Sequence, residues 1–282
     1  MNILSIQSWV SYGHVGNASA VFPMQRLGHE VWAIHTVQFS NHTGYGAWKG
    51  RVYDGPMIEE LVTGIEERGV LGRCDGVLSG YMGSADIGTA ILGAVGRVRG
   101  LNPKALYCCD PVIGDVGRGV FVRPGIPEFM RDQAVPAADV ITPNQFELEY
   151  LTGSTISTLA EAIAAVDLLH RAGPSMVLVT SLMTEDTPDD QIDLLASGPN
   201  GRFRVRTPKL GISVNGAGDA IAALFFVHAA ETGDVALALS RAASSTYGLL
   251  KRTAEAGSRE ILTVAAQDEF VTPSRLFTPE SV

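Results

Sequence analysis

Lysine is scarce in this chain of 282 residues: four occur, at 49, 104, 209 and 251, and 21 basic residues face 30 acidic ones for a net charge of −9. A nucleic acid needs a basic surface, so no nucleic-acid partner is expected. Cysteine is rarer still. Cys74, Cys108 and Cys109 form no CxxC pair, and the last two are neighbours on a predicted strand, where successive side chains point to opposite faces. This pattern predicts reduced thiols and a cytoplasmic protein. Long apolar runs are also missing: Ala220 to Ala230 is too short to span a bilayer and carries His228, and Met1 to Ser5 lack the basic start of a signal peptide. No membrane role is expected.

What is present is a globular composition, 46% apolar and 18% charged. A chain this long buries roughly 75% of the surface its unfolded form exposes. It needs no disulfide or metal staple, so any metal would serve chemistry. Short β-branched runs alternate with stretches of helical period, the pattern of a mostly parallel sheet covered by helices on both faces. The runs predict strands near Ile3 to Gln7, Val31 to Val37, Gly76 to Ser79, Ala105 to Cys109, Val140 to Thr142 and Met176 to Thr180. Between them, Met57, Ile58, Leu61, Val62 and Ile65 form one helical stripe, and Leu159, Ile163, Val166 and Leu169 another. Gln191 to Leu195 and Arg202 to Val205 flank the turn residues 197–201, which predicts a hairpin and an antiparallel edge. Two Ala-rich helices follow, from Asp219 and from Val235. No linker or repeat interrupts the chain, so one domain is expected over residues 1–282.

The common phosphate-binding devices are absent. A Walker A loop needs a Gly-Lys pair, and the four lysines follow Trp48, Pro103, Pro208 and Leu250. The glycine frames at Gly216 and Gly44 fail the dinucleotide fingerprint at their third glycine, being followed there by Ile221 and Lys49. What remains is Asn215-Gly216-Ala217-Gly218-Asp219 directly before a strongly helical run. Backbone N–H groups at such a helix start can receive an anion or a developing phosphoryl transition state. Asp219 can then meet a substrate hydroxyl beside that phosphate, or it is an ordinary N-cap. Two more carboxylates stand at strand ends: Asp110 in Cys109-Asp110-Pro111-Val112, and Glu147 in Thr142-Pro143-Asn144-Gln145-Phe146-Glu147. Ligands of open parallel sheets gather outside such ends, and one or two carboxylates with phosphate oxygens suit Mg²⁺. Taken singly, Asp110 is equally a turn residue and Glu147 a first-turn helix charge.

Further segments carry a narrower signal. Ile6-Gln7-Ser8 is followed by Tyr12-Gly13-His14-Val15-Gly16-Asn17, by Phe39-Ser40-Asn41-His42-Thr43-Gly44-Tyr45-Gly46, by Leu78-Ser79-Gly80-Tyr81-Met82-Gly83-Ser84, and by Asp110-Pro111-Val112. In order and spacing these resemble pyridoxal kinases, members of the ribokinase-like superfamily, whose signature is the glycine-rich turn ending in Asp219. The similarity runs from residue 2 to about 270, and Phe39 to Gly46 is its most specific part.

The resemblance implies an α/β fold, a ribokinase-like three-layer α/β/α sandwich with a mostly parallel central sheet and an antiparallel edge. It implies ATP-dependent phosphorylation of the 5′-hydroxymethyl group of pyridoxal, giving pyridoxal 5′-phosphate in vitamin B6 salvage. Position by position, Ser8 would meet the polar edge of the pyridine ring, with Thr43 and Gly44 bordering the pocket and His42 and Tyr81 nearby. Asp110 and Glu147 would organise Mg²⁺ and ATP, directly or through water, with Thr142 and Thr180 beside the nucleotide. Asp219 would be the general base, and the amides of Gly216, Ala217 and Gly218 would neutralise developing charge. A homodimer is implied as well. Where some relatives have a lysine near the phosphates, this chain reads Val179-Thr180-Ser181, so Mg²⁺ or a monovalent cation would have to compensate. Arg118 is a candidate for the γ-phosphate, and the acidic residues of 185–190 read as a solvated loop. Two alternatives stay beside this reading: a hydroxymethylpyrimidine kinase of thiamin synthesis, and a non-catalytic binder of pyridoxal phosphate.

Overall fold

The computed structural model describes residues 1–282. Its first half runs β1 (Asn2–Val10), α1 (Asn17–Arg26), β2 (Glu30–Phe39), β3 (Gly50–Val52), α2 (Gly55–Glu67), β4 (Gly76–Ser79), α3 (Ala85–Leu101), β5 (Leu106–Cys109), and the short pair β6 (Gly114–Asp115) and β7 (Gly119–Val120). The second half runs α4 (Ile126–Phe129), a π-turn over Met130–Ala134, α5 (Val135–Ala137), β8 (Val140–Ile141), α6 (Gln145–Thr152), α7 (Leu159–Ala172), β9 (Met176–Leu182), β10 (Gln191–Gly198), β11 (Gly201–Pro208), α8 (Ala217–Thr232), α9 (Val235–Glu255), α10 (Asp268–Val271) and β12 (Glu280–Ser281).

Alternation along the strands decides the architecture. Ile3 faces one apolar cluster while Leu4 and Ile6 face the other, and the same split separates Cys108 from Cys109 and Val140 from Ile141. A sheet apolar on both faces must be covered on both. Helices α2, α3, α6 and α7 contribute to the first cluster, and α1, α8 and α9 to the second. The result is a ten-stranded sheet in the order β12-β11-β10-β9-β8-β5-β4-β1-β2-β3. Strands β2, β1, β4, β5, β8 and β9 are mutually parallel, whereas β3 and the β10 to β12 group are antiparallel edges. This is the expected α/β/α sandwich.

Local chemistry places the helix starts. The Asp54 carboxylate accepts from the Met57 N–H at 3.1 Å to open α2, and Thr158 with Glu161 forms a capping box on α7. Within α2 the core face is Ile58 and Val62; Leu61, placed on the stripe from sequence, lies 40% exposed. Helix α8 is buried from Ala220 to Ala229 and has no polar face, as befits a helix packed between the sheet, α1 and α9. The acidic segment is the exposed loop expected, with Glu185, Asp186, Asp189 and Asp190 all at the surface. Asp186 is also tied down: its carboxylate accepts from Arg204 Nη1 at 2.6 Å and Arg206 Nη2 at 3.3 Å, which binds the loop to β11. No helix is long and apolar enough to cross a membrane.

Candidate active site

The chain runs outward from β1 to β2 and on to the edge strand β3, then returns across β2 and β1 to β4. Such a reversal leaves a crevice beyond the carboxyl ends of the strands. A cleft of about 850 Å³ lies there, lined from the ends of β1, β2, β5, β8 and β9, the loop after β4, and the start of α8.

One side of the cleft is apolar with a few fixed polar groups. Val10, Val37 and Phe39 form a small buried cluster against which Val15, Val52 and Tyr81 pack. Ser8 sits opposite a bulge in β2, where Thr36 and Val37 face it between the Gln7–His35 and Trp9–Gln38 pairs. The turn after it is tightly seated. A Cβ at Gly16, where φ is 55°, would lie 2.3 Å from both the carbonyl and the hydroxyl of Ser8. The Asn17 side chain pins this turn, accepting from Ser5 Oγ at 2.7 Å and donating to the Ile34 carbonyl at 2.8 Å. The His42 to Tyr45 loop closes the same side: His42 and Thr43 line the cleft, and Thr43–Tyr45 is a single 3-10 turn.

The other side gathers charge. Asp110 follows β5 directly and is buried, its Oδ1 accepting from Thr142 Oγ1 at 2.9 Å while Oδ2 has no protein donor. Burial, then the Glu147 and Asp219 charges, raise its pKa well above the ordinary carboxylate range. Glu147 occupies the third position of α6. Its Oε1 accepts from the Ile113 and Gly114 N–H groups at 2.9 and 3.4 Å, and its Oε2 from Asn144 at 2.9 Å. Burial nonetheless pushes its pKa up to about 8. The Gly216 to Asp219 turn faces these groups. Gly216 has φ 91° and caps α8, and a Cβ on it would come within 1.8 Å of the His14 carbonyl. Asp219 is therefore the third residue of the helix, not its cap. Burial raises its pKa to about 6, against the opposing pull of nearby backbone N–H groups, that of Gly16 first.

Comparison with known proteins fits this geometry. A family model described as phosphomethylpyrimidine kinase matches residues 73–264. Pyridoxal kinase PdxY of Granulibacter bethesdensis is 66% identical over 282 residues, 98% of this chain and 98% of that protein. The corresponding protein of Deinococcus radiodurans is 58% identical, over 100% of this chain and 96% of its own length. The chain belongs to the pyridoxal kinase family. Among solved structures, the pyridoxal kinase from Leishmania donovani in complex with ADP and pyridoxamine has a TM-score of 0.91 at 32% identity, covering 99% of both chains.

Against this family's pattern, the cleft brings together Ser8, His42, Thr43, Tyr81, Asp110, Thr142, Glu147, Thr180, Gly216, Ala217, Gly218 and Asp219. Gly44 is the exception. It lies behind the lining, where a Cβ would stand 2.9 Å from His42 Nδ1 and 3.0 Å from Asn215 Nδ2. Thr180 and Ser181 form a bulge in β9, two residues opposite Leu194 of β10, and Ser181 has φ 53°. A non-glycine residue in the left-handed region stores strain, which here directs the strand end toward the cleft. Only two cationic side chains line it, Arg118 and Arg123, and the Arg118 guanidinium lies 4.9 Å from the Phe121 ring centre. Arg123 was not singled out from the sequence, because it belongs to neither a glycine-rich nor a carboxylate-bearing turn.

Proposed function

We propose that this chain transfers the γ-phosphoryl group of ATP to the 5′-hydroxymethyl group of pyridoxal, giving pyridoxal 5′-phosphate and ADP. The observation that carries the reading is the placement of Asp219 beside the Gly216 to Gly218 turn, between an apolar pocket and two buried carboxylates. Asp219 takes the hydroxyl proton as that oxygen attacks the γ-phosphorus; the bond to the β–γ bridging oxygen breaks and ADP leaves. A carboxylate raised toward neutrality is a better base than an ordinary one. Phosphoryl transfer has a loose transition state, so positioning and charge neutralisation supply most of the rate. The amides of Gly216, Ala217 and Gly218 would carry that neutralisation at the start of α8. Ser8, His42, Thr43 and Tyr81, with Gly44 shaping the loop, would hold the pyridine ring. Thr142 and Thr180 would stand beside the nucleotide.

The donor set fits a magnesium ion. Asp110 Oδ2 is open to the cleft, Glu147 stands behind it, and no cluster of three or more protein ligands exists, which matches a cation that keeps its waters and takes phosphate oxygens. We assign Asp110 to direct contact and Glu147, whose oxygens already receive three N–H groups, to contact through water. When bound, Mg²⁺ neutralises charge on the phosphates. A monovalent cation is a second proposed source of positive charge. We further infer one domain over residues 1–282, because the sheet draws strands from both ends of the chain, and a homodimer in the cytoplasm.

The test is a product assay with purified protein, Mg-ATP, and pyridoxal, pyridoxine, pyridoxamine and hydroxymethylpyrimidine in parallel. Rapid phosphorylation of pyridoxal is expected. Hydroxymethylpyrimidine turning over best would replace the acceptor, in line with the description of the matching family model. No turnover of any acceptor, with pyridoxal phosphate still bound, would favour a carrier.

A further inference from the structure

Glu260 lies far along the chain from every motif of the cleft, in the segment between α9 and α10. Its carboxylate is nevertheless the meeting point of three segments. Oε1 accepts from His42 Nε2 at 3.0 Å and from the Tyr45 hydroxyl at 2.6 Å, and Oε2 accepts from the His14 backbone N–H at 3.3 Å. The residue is 9% exposed and His42 is 6% exposed. Gly13 makes the approach possible, since a Cβ there would lie 2.1 Å from Oε2. The neighbouring Arg259 closes the arrangement from outside: its guanidinium lies 4.0 Å from the Tyr45 ring centre and donates to the Gly44 carbonyl at 3.3 Å.

The chemistry of the carboxylate dictates the state of the imidazole. An ionised carboxylate only accepts, so His42 presents Nε2–H to it, and in the neutral ring Nδ1 is left as a bare acceptor. Nδ1 is buried and has no partner. It sits over Gly44 beside Asn215 Nδ2, the amide that precedes the Gly216 turn. A buried acceptor without a donor is costly, which marks His42 as a residue held for a purpose other than packing.

We propose that Glu260 is the positioning residue of the acceptor site: it fixes the His42 tautomer and ties the 42–45 loop to the His14 turn, so that Thr43 and Ser8 meet the ring in a set geometry. The inference rests on the acceptor reading of the cleft. It assigns Glu260 to acceptor binding and leaves the nucleotide side untouched, because none of its hydrogen bonds reaches Asp110, Glu147 or the Gly216 amides.

Steady-state kinetics of wild type, Glu260→Ala and Glu260→Gln test it. Loss of a charge-assisted hydrogen-bond hub is expected to raise KM for pyridoxal about tenfold to a hundredfold, with KM for ATP unchanged within about twofold. Gln keeps an acceptor oxygen for His42 and Tyr45 and should recover most of the loss. A pyridoxal KM unchanged in Glu260→Ala, or an equal rise in both KM values, overturns the positioning role. A wild type that does not phosphorylate pyridoxal overturns the acceptor reading instead. If Glu260→Ala does not fold, ¹⁵N-histidine correlation spectra of the wild-type protein decide the matter. His42, assigned through His42→Gln among the six histidines, must show the Nε2–H tautomer; the Nδ1–H tautomer would refute the proposal.

Discussion

Replacing Asp219 by Asn should make the protein more stable and nearly inactive at once. Burial raises the Asp219 pKa from an ordinary 3.8 to about 6, so at pH 7.5 the native state holds an ionised carboxylate that its surroundings disfavour. At 1.36 kcal/mol per pKa unit the displacement corresponds to about 3 kcal/mol. Cleft water reaches the partly exposed residue and offsets some of this, so about 1–3 kcal/mol is the working range. The sign follows from linkage. An acid whose pKa is higher in the folded state contributes its stability below pH 3.8 and loses it as pH rises through 6. Asn removes the titration, so its advantage is full at pH 7.5 and about half as large at pH 5.

Thermal melts of the ligand-free protein read this directly. For a chain of this size Tm should rise about 2–6 °C at pH 7.5, with a smaller rise at pH 5. In the same preparation kcat should fall about a hundredfold to ten-thousandfold with ATP binding retained. In the wild type, kcat/KM for pyridoxal should decline on the acid side with an apparent pKa near 6. A mutant as active as wild type would remove the base assignment. One that melts lower than wild type at pH 7.5 would refute the burial argument.

Three further outcomes are expected. Gly216→Ala places a Cβ 1.8 Å from the His14 carbonyl at a φ of 91°, and should cost about 2 kcal/mol or more; a wild-type Tm and kcat would show that the turn relaxes freely. Glu147→Gln removes a carboxylate from the proposed cation site and offers a single acceptor oxygen to three N–H groups, so it should raise the Mg²⁺ needed for half-maximal rate; an unchanged Mg²⁺ titration would separate Glu147 from the cation. Cys74, Cys108 and Cys109 are buried, with Cys109 pushed up to about 12 by burial, so Ellman's reagent should meet no thiol until the protein unfolds. A fast-reacting thiol in the native state would contradict this.

The strands were legible because each needs apolar side chains on both faces, which leaves dense β-branched runs. Helix α3 was less so. Gly88, Gly93, Gly96 and Gly100 dilute its stripe, and it forms because Ile87, Ile91, Val95 and Val98 find a core, which is a tertiary reason. Pro23 inside α1 obscured that helix in the same way. The β6–β7 pair, two residues per strand, is too short to carry any period. The cleft was legible where chemistry needs a local motif: a glycine turn, a carboxylate at a strand end. It was not legible where a residue acts from a distance, as Glu260 does on His42 across 218 positions. Asp219 shows the intermediate case. Asp before a helical run reads as a cap, and the positive φ of Gly216 is what moves the helix start back and leaves the carboxylate free for the cleft.

Charge balance links these parts. Asp110, Asp115, Glu147 and Asp219 line a cleft that offers Arg118 and Arg123 in return, and the proposed co-substrate brings more negative charge. In three of the four, Asp110, Glu147 and Asp219, desolvation is the largest cause of a raised pKa. Such groups either take protons or meet a cation. A protonated Asp110 would leave the phosphates without a partner, whereas a metal ion held by Asp110 would neutralise carboxylate and phosphate together. The magnesium proposal therefore rests on the same desolvation that raises Asp219. A fold that buries carboxylates beside a helix start, with no lysine at the adjacent strand end, supplies binding sites for charge but leaves part of that charge to its ligands.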